Sequence, residues 1–212
     1  MLQLVVFLGN PGRKYRYNRH NAAWILAEML SFSTALDWQK KFKGLYAAAT
    51  IGENNFHFIK PQTFMNLCGE SVFAAASFYK IQLENIMVVH DEIELSPGTL
   101  SLKFSGGLGG HNGLRSMKAC FGSADFWRLR LGIGRPDGRI PGRGGDIQSS
   151  REAGIAAWVL SDFTADEANM LEPVFQTGAQ LLEQALIAGP QSLLPEWAKK
   201  NCIPANEPSE EV

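Results

Sequence analysis

Short apolar runs alternate with segments of helical period along most of this chain, and most runs end in a turn rich in Gly, Pro or Asn. That rhythm constrains the fold more than any other feature. A continuous apolar run of roughly four to eight residues makes a buried strand, and a 3.6-residue period makes a helix with one face to hide. Strands are expected over residues 2–8, 45–51, 55–60, 86–90, 99–104 and 127–133, the second and third joined through Gly52-Glu53-Asn54. Helices are expected over residues 22–32 and 70–79, and from the end of the Gly-rich stretch 105–110 to about Phe121. Thr164 and Glu167 form a capping box that opens a further helix to about Ala188, with Pro173 bending or fraying its early turns. No repeat and no second core is visible. The expected architecture is a single-domain, three-layer α/β sandwich with a central mixed sheet over residues 1–200. A surface loop is expected at 136–152 and a flexible tail at 201–212.

Composition narrows the class. The 212 residues are 45% hydrophobic and 19% charged, the balance of an ordinary globular protein able to bury a core. No apolar run approaches the ~20 residues of a membrane-spanning helix, and the start MLQLVVFLG lacks the basic beginning and cleavage site of a signal peptide. Cys68, Cys120 and Cys202 are odd in number and far apart, so neither a disulfide scaffold nor a zinc ribbon is expected, and a reducing cytoplasm is. The net charge of −1 hides an asymmetry. Residues 101–151 hold nine basic side chains against three acidic, whereas ten acidic side chains face two basic ones from Glu152 onward. Such a division suits a polyanion docking on one face, and equally a solvated mixed surface.

Four segments place turn residues and polar side chains directly after apolar strands, where α/β folds put their sites. They are GNPGRKYRYNRHN (9–21), KPQTFMNLCG (60–69), HDEIELSPG (90–98) and GGLGGHNGL (106–114). Each also has a structural use. Asn10 and Gly12 fit a tight turn, Asn66 and Asn112 fit helix caps, and His20 fits a helix start. Other chemistries lack their residues. The Gly-rich stretch has no Lys-Ser/Thr pair of a P-loop, no GxGxxG joins strand to helix, and no GxSxG elbow occurs. No HxxxH or paired cysteines suggest a catalytic metal, so no metal is expected. A histidine with a carboxylate and several amides remains. That set can activate water against an already reactive ester.

The same four segments, in this order and spacing, resemble bacterial-type peptidyl-tRNA hydrolases, and FWRLRLGIGRP (126–136) is similar too. The resemblance spans roughly residues 1–200. It implies hydrolysis of the ester between a peptide, or N-blocked amino acid, and tRNA, releasing tRNA for reuse in translation. It also implies a cytoplasmic monomer with no cofactor and no membrane attachment. By resemblance His20 is the general base and Asp91 the carboxylate that orients it. Asn10 is the amide that separates a blocked peptidyl amide from a free amine. Tyr15, Phe64, Met65, Asn66 and Asn112, with His111 beside them, line the cleft for peptide and terminal adenosine. Lys103 and Arg130 hold the tRNA 5′-phosphate. Asn66 or Asn112 is the expected oxyanion donor, with no sequence reason to choose between them.

Three features depart from the family pattern. Cys68 stands where serine is common, and is expected to serve as a small buried side chain. The whole chain is less basic than a tRNA enzyme suggests. The 136–152 loop exceeds the usual link, and its Arg139, Arg143 and Arg151 are expected to touch the tRNA backbone. Two other functions share the architecture: a non-catalytic RNA-binding protein like the relatives that serve organellar intron splicing, and a hydrolase of nucleosides or peptide ends.

Overall fold

In the computed structural model, residues 1–136 and 149–203 are described, with backbone alone for 149–152. Arg139 and Arg143, and the side chain of Arg151, lie outside the described residues. The strands are β1 (Leu4–Phe7), β2 (Gln39–Lys41), β3 (Gly44–Ile51), β4 (Asn54–Pro61), β5 (Ile86–Glu92), β6 (Thr99–Phe104), β7 (Trp127–Gly132) and β8 (Lys200–Asn201). They form one eight-stranded sheet in the order β2-β3-β4-β1-β5-β7-β6-β8. The four central strands β4, β1, β5 and β7 run parallel, while β2, β3, β6 and β8 add antiparallel pairs at the edges. The expected mixed sheet is thus present.

Helices α1 (Ala22–Glu28), α2 (Cys68–Tyr79), α3 (Asn112–Phe121), α4 (Ser149–Val159), α5 (Ala165–Ala188) and α6 (Pro190–Trp197) cover the two faces. Alternation along β1 explains the layers. Val5 and Phe7 join the core under α1, α5 and α6, whereas Leu4 and Val6 join the core under α2 and α3. Strand β5 is buried along its whole length, which is why it reads as an unbroken apolar run until His90. Thr164 and Glu167 form the capping box as expected, and α5 runs through Pro173 to Ala188.

Several boundaries differ from the sequence reading. Helix α1 stops at Glu28, and a short 3-10 turn follows at Ser33–Ala35. Strand β2 was not expected: its three residues QKK are all exposed, so no apolar signal marks this polar edge. Its turn to β3 places Phe42 and Lys43 at φ 54, a conformation usually announced by Asn-Gly. Packing of Phe42 against Tyr46, Phe78 and Tyr79 offsets that local cost. Helix α4 was read as the end of the 136–152 loop and the link after it, but it starts at Ser149. Of the tail expected at 201–212, only residues 201–203 are described. Lys200–Asn201 pair with β6, and Cys202 N–H donates to Gly98 O at 2.9 Å.

Cys68 is fully buried at the start of α2, as expected of a small side chain replacing serine, with Sγ 3.5 Å from Gly113 O. Burial pushes its thiol up to about 12. Alkylation of the folded protein at neutral pH is therefore expected to label Cys120 and Cys202, both half-buried, and to spare Cys68 until denaturant is added. Peptide mapping checks this, and a labelled Cys68 in the native protein would contradict it.

Candidate active site

The carboxyl ends of the parallel strands converge on one cleft. β1 leads to Asn10, β4 to Phe64, Met65 and Asn66, and β5 carries Asp91 in its last turn of pleat. The Gly-rich segment after β6 brings His111 to the same place. The cleft has a volume of about 810 Å³ and is lined by Asn10, Tyr15, His20, Phe64, Met65, Asn66, Asp91, His111 and Asn112, among others.

Asp91 sits at the bottom, 2% exposed. His20 Nδ1 lies 2.8 and 2.9 Å from its two oxygens, and His111 Nε2 lies 3.1 Å from Oδ1. Burial alone would raise the Asp91 carboxyl. Attraction to His20 and His111, with their hydrogen bonds, outweighs burial and holds it well below the usual carboxylate range. An ionised Asp91 can only accept, so both rings donate to it. The His111 tautomer is fixed independently: its Nδ1 accepts from the amides of Gly113 (3.1 Å) and Leu114 (3.4 Å), which leaves the proton on Nε2. His20 donates through Nδ1–H, and its Nε2 has no partner among the described residues. That nitrogen can accept a proton from a group in the cleft.

Local sequence builds this arrangement. His20 lies in a 3-10 turn, Arg19–Asn21, that runs straight into α1, so it is also the helix-start histidine that the sequence allowed. His111, rather than Asn112, is the N-cap of α3, and Asn112 begins the helix with its amide exposed. Asn66 likewise caps nothing; it lies exposed in a 3-10 turn before α2. Gly113 permits the close approach of Met65, since a Cβ there would stand 2.6 Å from Sδ. His90, unassigned in the sequence, is fully buried beneath: its Nδ1–H donates to Asp91 O at 2.7 Å and its ring meets His111 edge-on at 4.9 Å. Burial first, then the neighbouring His111, keeps His90 uncharged, its pKa pushed well below the ordinary value.

Asn10 is held from three sides. Its backbone N–H donates to Asn21 Oδ1 (2.8 Å), its carbonyl accepts from Asn21 Nδ2 (3.0 Å), and its Oδ1 accepts from Met65 N–H (2.9 Å). The bond to Met65 turns Oδ1 inward, so Nδ2 is the end of the side chain with no partner among the described residues. Phe64 is 57% exposed and forms a rim, and Tyr15 is half-buried.

Lys103 and Arg130 stand apart from these residues. Lys103 pairs with Arg128 and Ser101 with Arg130 across β6 and β7, so all four share one sheet face. Val88 pairs with Arg128, three positions before Asp91 on β5, which puts Lys103 about 10 Å along the strands from the carboxylate at ~3.3 Å per residue. Arg130 donates to Ser101 Oγ at 2.7 Å and lies 3.6 Å from Glu92. Lys103 has no hydrogen-bond or ion-pair partner among the described residues. Arg128, buried beside them, donates to Gly107 O (2.6 Å) and Gly106 O (2.9 Å) and pins the Gly-rich segment.

One wall of the cleft was missed in the sequence: Ala153, Ile155, Ala156 and Val159 of α4, with Leu160. The spacing of Ile155 and Val159 was a usable signal, hidden by the Gly/Arg-rich stretch before it. His20, Asp91 and His111 also place possible metal-ligating atoms within 4.8 Å of one another. A metal there would have to displace the two N–H donors that Asp91 already accepts.

Comparison with known proteins agrees with this geometry. A family model described as "Peptidyl-tRNA hydrolase" matches residues 4–204. A peptidyl-tRNA hydrolase of Treponema pallidum (strain Nichols) is 42% identical over 208 residues, covering 95% of this chain and 97% of the relative. One from Desulfitobacterium hafniense (strain Y51) is 43% identical over 177 residues, covering 84% and 89%. A crystal structure of a peptidyl-tRNA hydrolase complexed with N-propanol superposes with a TM-score of 0.82 at 28% identity, covering 96% of this chain and 97% of the other. That of Acinetobacter baumannii gives 0.75 at 29% identity, covering 93% and 92%. A match along nearly the whole chain, at such identity, makes this chain a member of the peptidyl-tRNA hydrolase family.

Proposed function

We propose that this hydrolase cleaves the ester between peptide and tRNA by direct attack of water, with His20 Nε2 as general base. The observation that carries the reading is a buried, ionised Asp91 holding His20 by Nδ1–H while Nε2 stays open to the cleft. Water adds to the ester carbonyl as Nε2 takes its proton. Asp91 fixes the ring and stabilises the imidazolium that forms, as a triad aspartate does. The ester C–O bond then breaks, His20 returns the proton to the ribose oxygen, and the acid and the free tRNA leave. The exposed amides of Asn66 and Asn112 supply donors for the oxyanion.

Asn10 accounts for selectivity. Its Nδ2 can donate to the carbonyl of a blocked peptidyl amide, whereas a free ammonium brings only donors to face that donor. The enzyme acts as a cytoplasmic monomer on this reading. The family match carries that reading, and among the described residues no helix is long and apolar enough to cross a membrane. Release of N-acetyl-amino acid from N-acetyl-aminoacyl-tRNA by the purified protein tests the activity, and absence of release sinks it.

Lys103 and Arg130 are assigned to the tRNA 5′-phosphate, which lies a few nucleotides from the esterified 3′ end. Lys103→Ala is expected to raise KM for 5′-phosphorylated substrate ~10-fold while a 5′-hydroxyl substrate is barely affected, the size of one charge-assisted hydrogen bond. Arg130→Ala should add a general loss on both substrates, because Glu92 and Ser101 lose their partner. Equal KM changes on both substrates for Lys103→Ala would remove it from phosphate binding.

A further inference from the structure

Beside the base, Arg19 is only 3% exposed, an unusual place for a guanidinium. Its Nη1 donates to Ser161 Oγ (2.7 Å) and Asp162 O (2.5 Å), and its Nη2 meets both oxygens of Glu167 at 2.7 and 2.6 Å. The planar group lies 3.8 Å from the Trp158 ring centroid and 5.2 Å from that of Phe163. Two backbone bonds and one between side chains run alongside: Arg19 N–H donates to Ser161 O at 3.0 Å, Phe163 N–H donates to Tyr17 O at 3.3 Å, and Asn18 Nδ2 donates to Asp162 Oδ1 at 2.5 Å.

These partners belong to three separate places in the fold. Trp158 lies in α4, and Ser161 and Asp162 form the turn after it, where a cation suits the negative helix end and its unpaired carbonyls. Glu167 lies in the first turn of α5. Trp158 Nε1–H donates in turn to Gly134 O at 2.9 Å, just beyond β7. Burial alone would raise the Glu167 carboxyl, but the Thr164 amide and Arg19 together bring it below its ordinary value. A buried cation stripped of such partners is strongly unfavourable, so the node resists opening.

Helix α4 is the apolar wall of the cleft, through Ala153, Ile155, Ala156 and Val159. His20 follows Arg19 directly in the same 3-10 turn. We propose that Arg19 is a positioning residue: its guanidinium locks the turn carrying the base to the α4 wall, so that base and substrate wall keep one spacing. The inference rests on the reading of His20 as base. A planar fork is required, because one side meets a carboxylate, another a carbonyl and a hydroxyl, and the face an indole; an ammonium cannot make all three. Near-attack geometry is steep enough that a displacement of ~1 Å can cost up to ~10²-fold in rate.

The test uses Arg19→Lys and Glu167→Gln, both assayed well below their melting temperatures. Gln can keep accepting the Thr164 amide of the capping box while losing the charge that faces Arg19. Two substrates are used: full N-acetyl-aminoacyl-tRNA, and an N-acetyl-amino acid esterified to adenosine. The expected result is a kcat lowered ~10-fold on both substrates with KM changed less than ~2-fold, the pattern of misplaced chemistry rather than lost binding. The downfield proton resonance of His20 Nδ1–H should shift or broaden in both variants. A lower melting temperature with kcat and resonance unchanged would make Arg19 a structural staple only and overturn the proposal. A raised KM with kcat retained would overturn it as well. If Arg19→Lys does not fold, Glu167→Gln decides alone. Full turnover in His20→Ala would instead sink the base assignment, whatever the Arg19 variants do.

Discussion

His20→Ala is expected to lower kcat at least ~10²-fold, with KM nearly unchanged, because a general base acts chiefly in the transition state. Asp91→Asn should follow in the same direction by ~10²-fold or more, for a reason visible in the geometry. The carboxylate accepts from His20 Nδ1–H and His111 Nε2–H together. An asparagine offers one acceptor and one donor to the same two rings. His111 cannot turn its proton inward, because its Nδ1 already accepts from Gly113 and Leu114. The conflict falls on His20, which would have to present a bare Nδ1 and put its proton on Nε2, the atom proposed as the base. The double variant should be little worse than either single one, since the two residues act as a unit. Additive losses would mean that the pair does not work together.

Gly69→Ala is expected to cost about 3 kcal/mol of stability or more, the upper range for overpacking a core. A Cβ at that position would stand 2.3 Å from Ser116 O, 2.5 Å from Ser116 C and 2.9 Å from Met117 N. These three atoms are backbone of α3 and cannot rotate away, so α2 and α3 must separate. Separation would loosen Val72, Leu114 and Met117, all buried between these helices and the sheet, and would break the bond from Gly69 N–H to Ser116 Oγ at 2.9 Å. His111 caps α3, so activity should fall with stability. Gly107→Ala is the control, with open space at its Cβ and an expected change within ~0.5 kcal/mol. Urea titration of the three proteins checks both values; a Gly69→Ala variant within ~1 kcal/mol of the parent would refute the close-approach argument.

Much of the fold was legible because its signals are local. The apolar runs of β1 and β5 reflect strands buried on both faces, and Thr164 with Glu167 marks a helix start through hydrogen bonds four residues long. Strand β2 was not legible, since its three exposed residues pair through backbone alone. Helix α4 was hidden by the Gly/Arg-rich stretch before it. The turn after it bonds to Arg19 across more than 140 positions, a distance no local pattern records.

The site divides in the same way. Residue types and turn signals marked the four segments, because they sit where strands end and loops begin, and the family resemblance singled out His20, Asp91, Asn10, Asn66 and Asn112 within them. Sequence by itself determined which groups were available: a base, a carboxylate, several amides and a basic segment. Only the tertiary structure decided what each group does. It turned Asn10 so that a donor faces the cleft, set His111 on Asp91 and took the cap of α3 away from Asn112, and buried His90 and Arg19 behind the base. The physical reason is that a side chain's protonation state and direction depend on partners it meets in space. Asp91 meets His20 across 71 positions, and neither residue's neighbours in the chain contain that information.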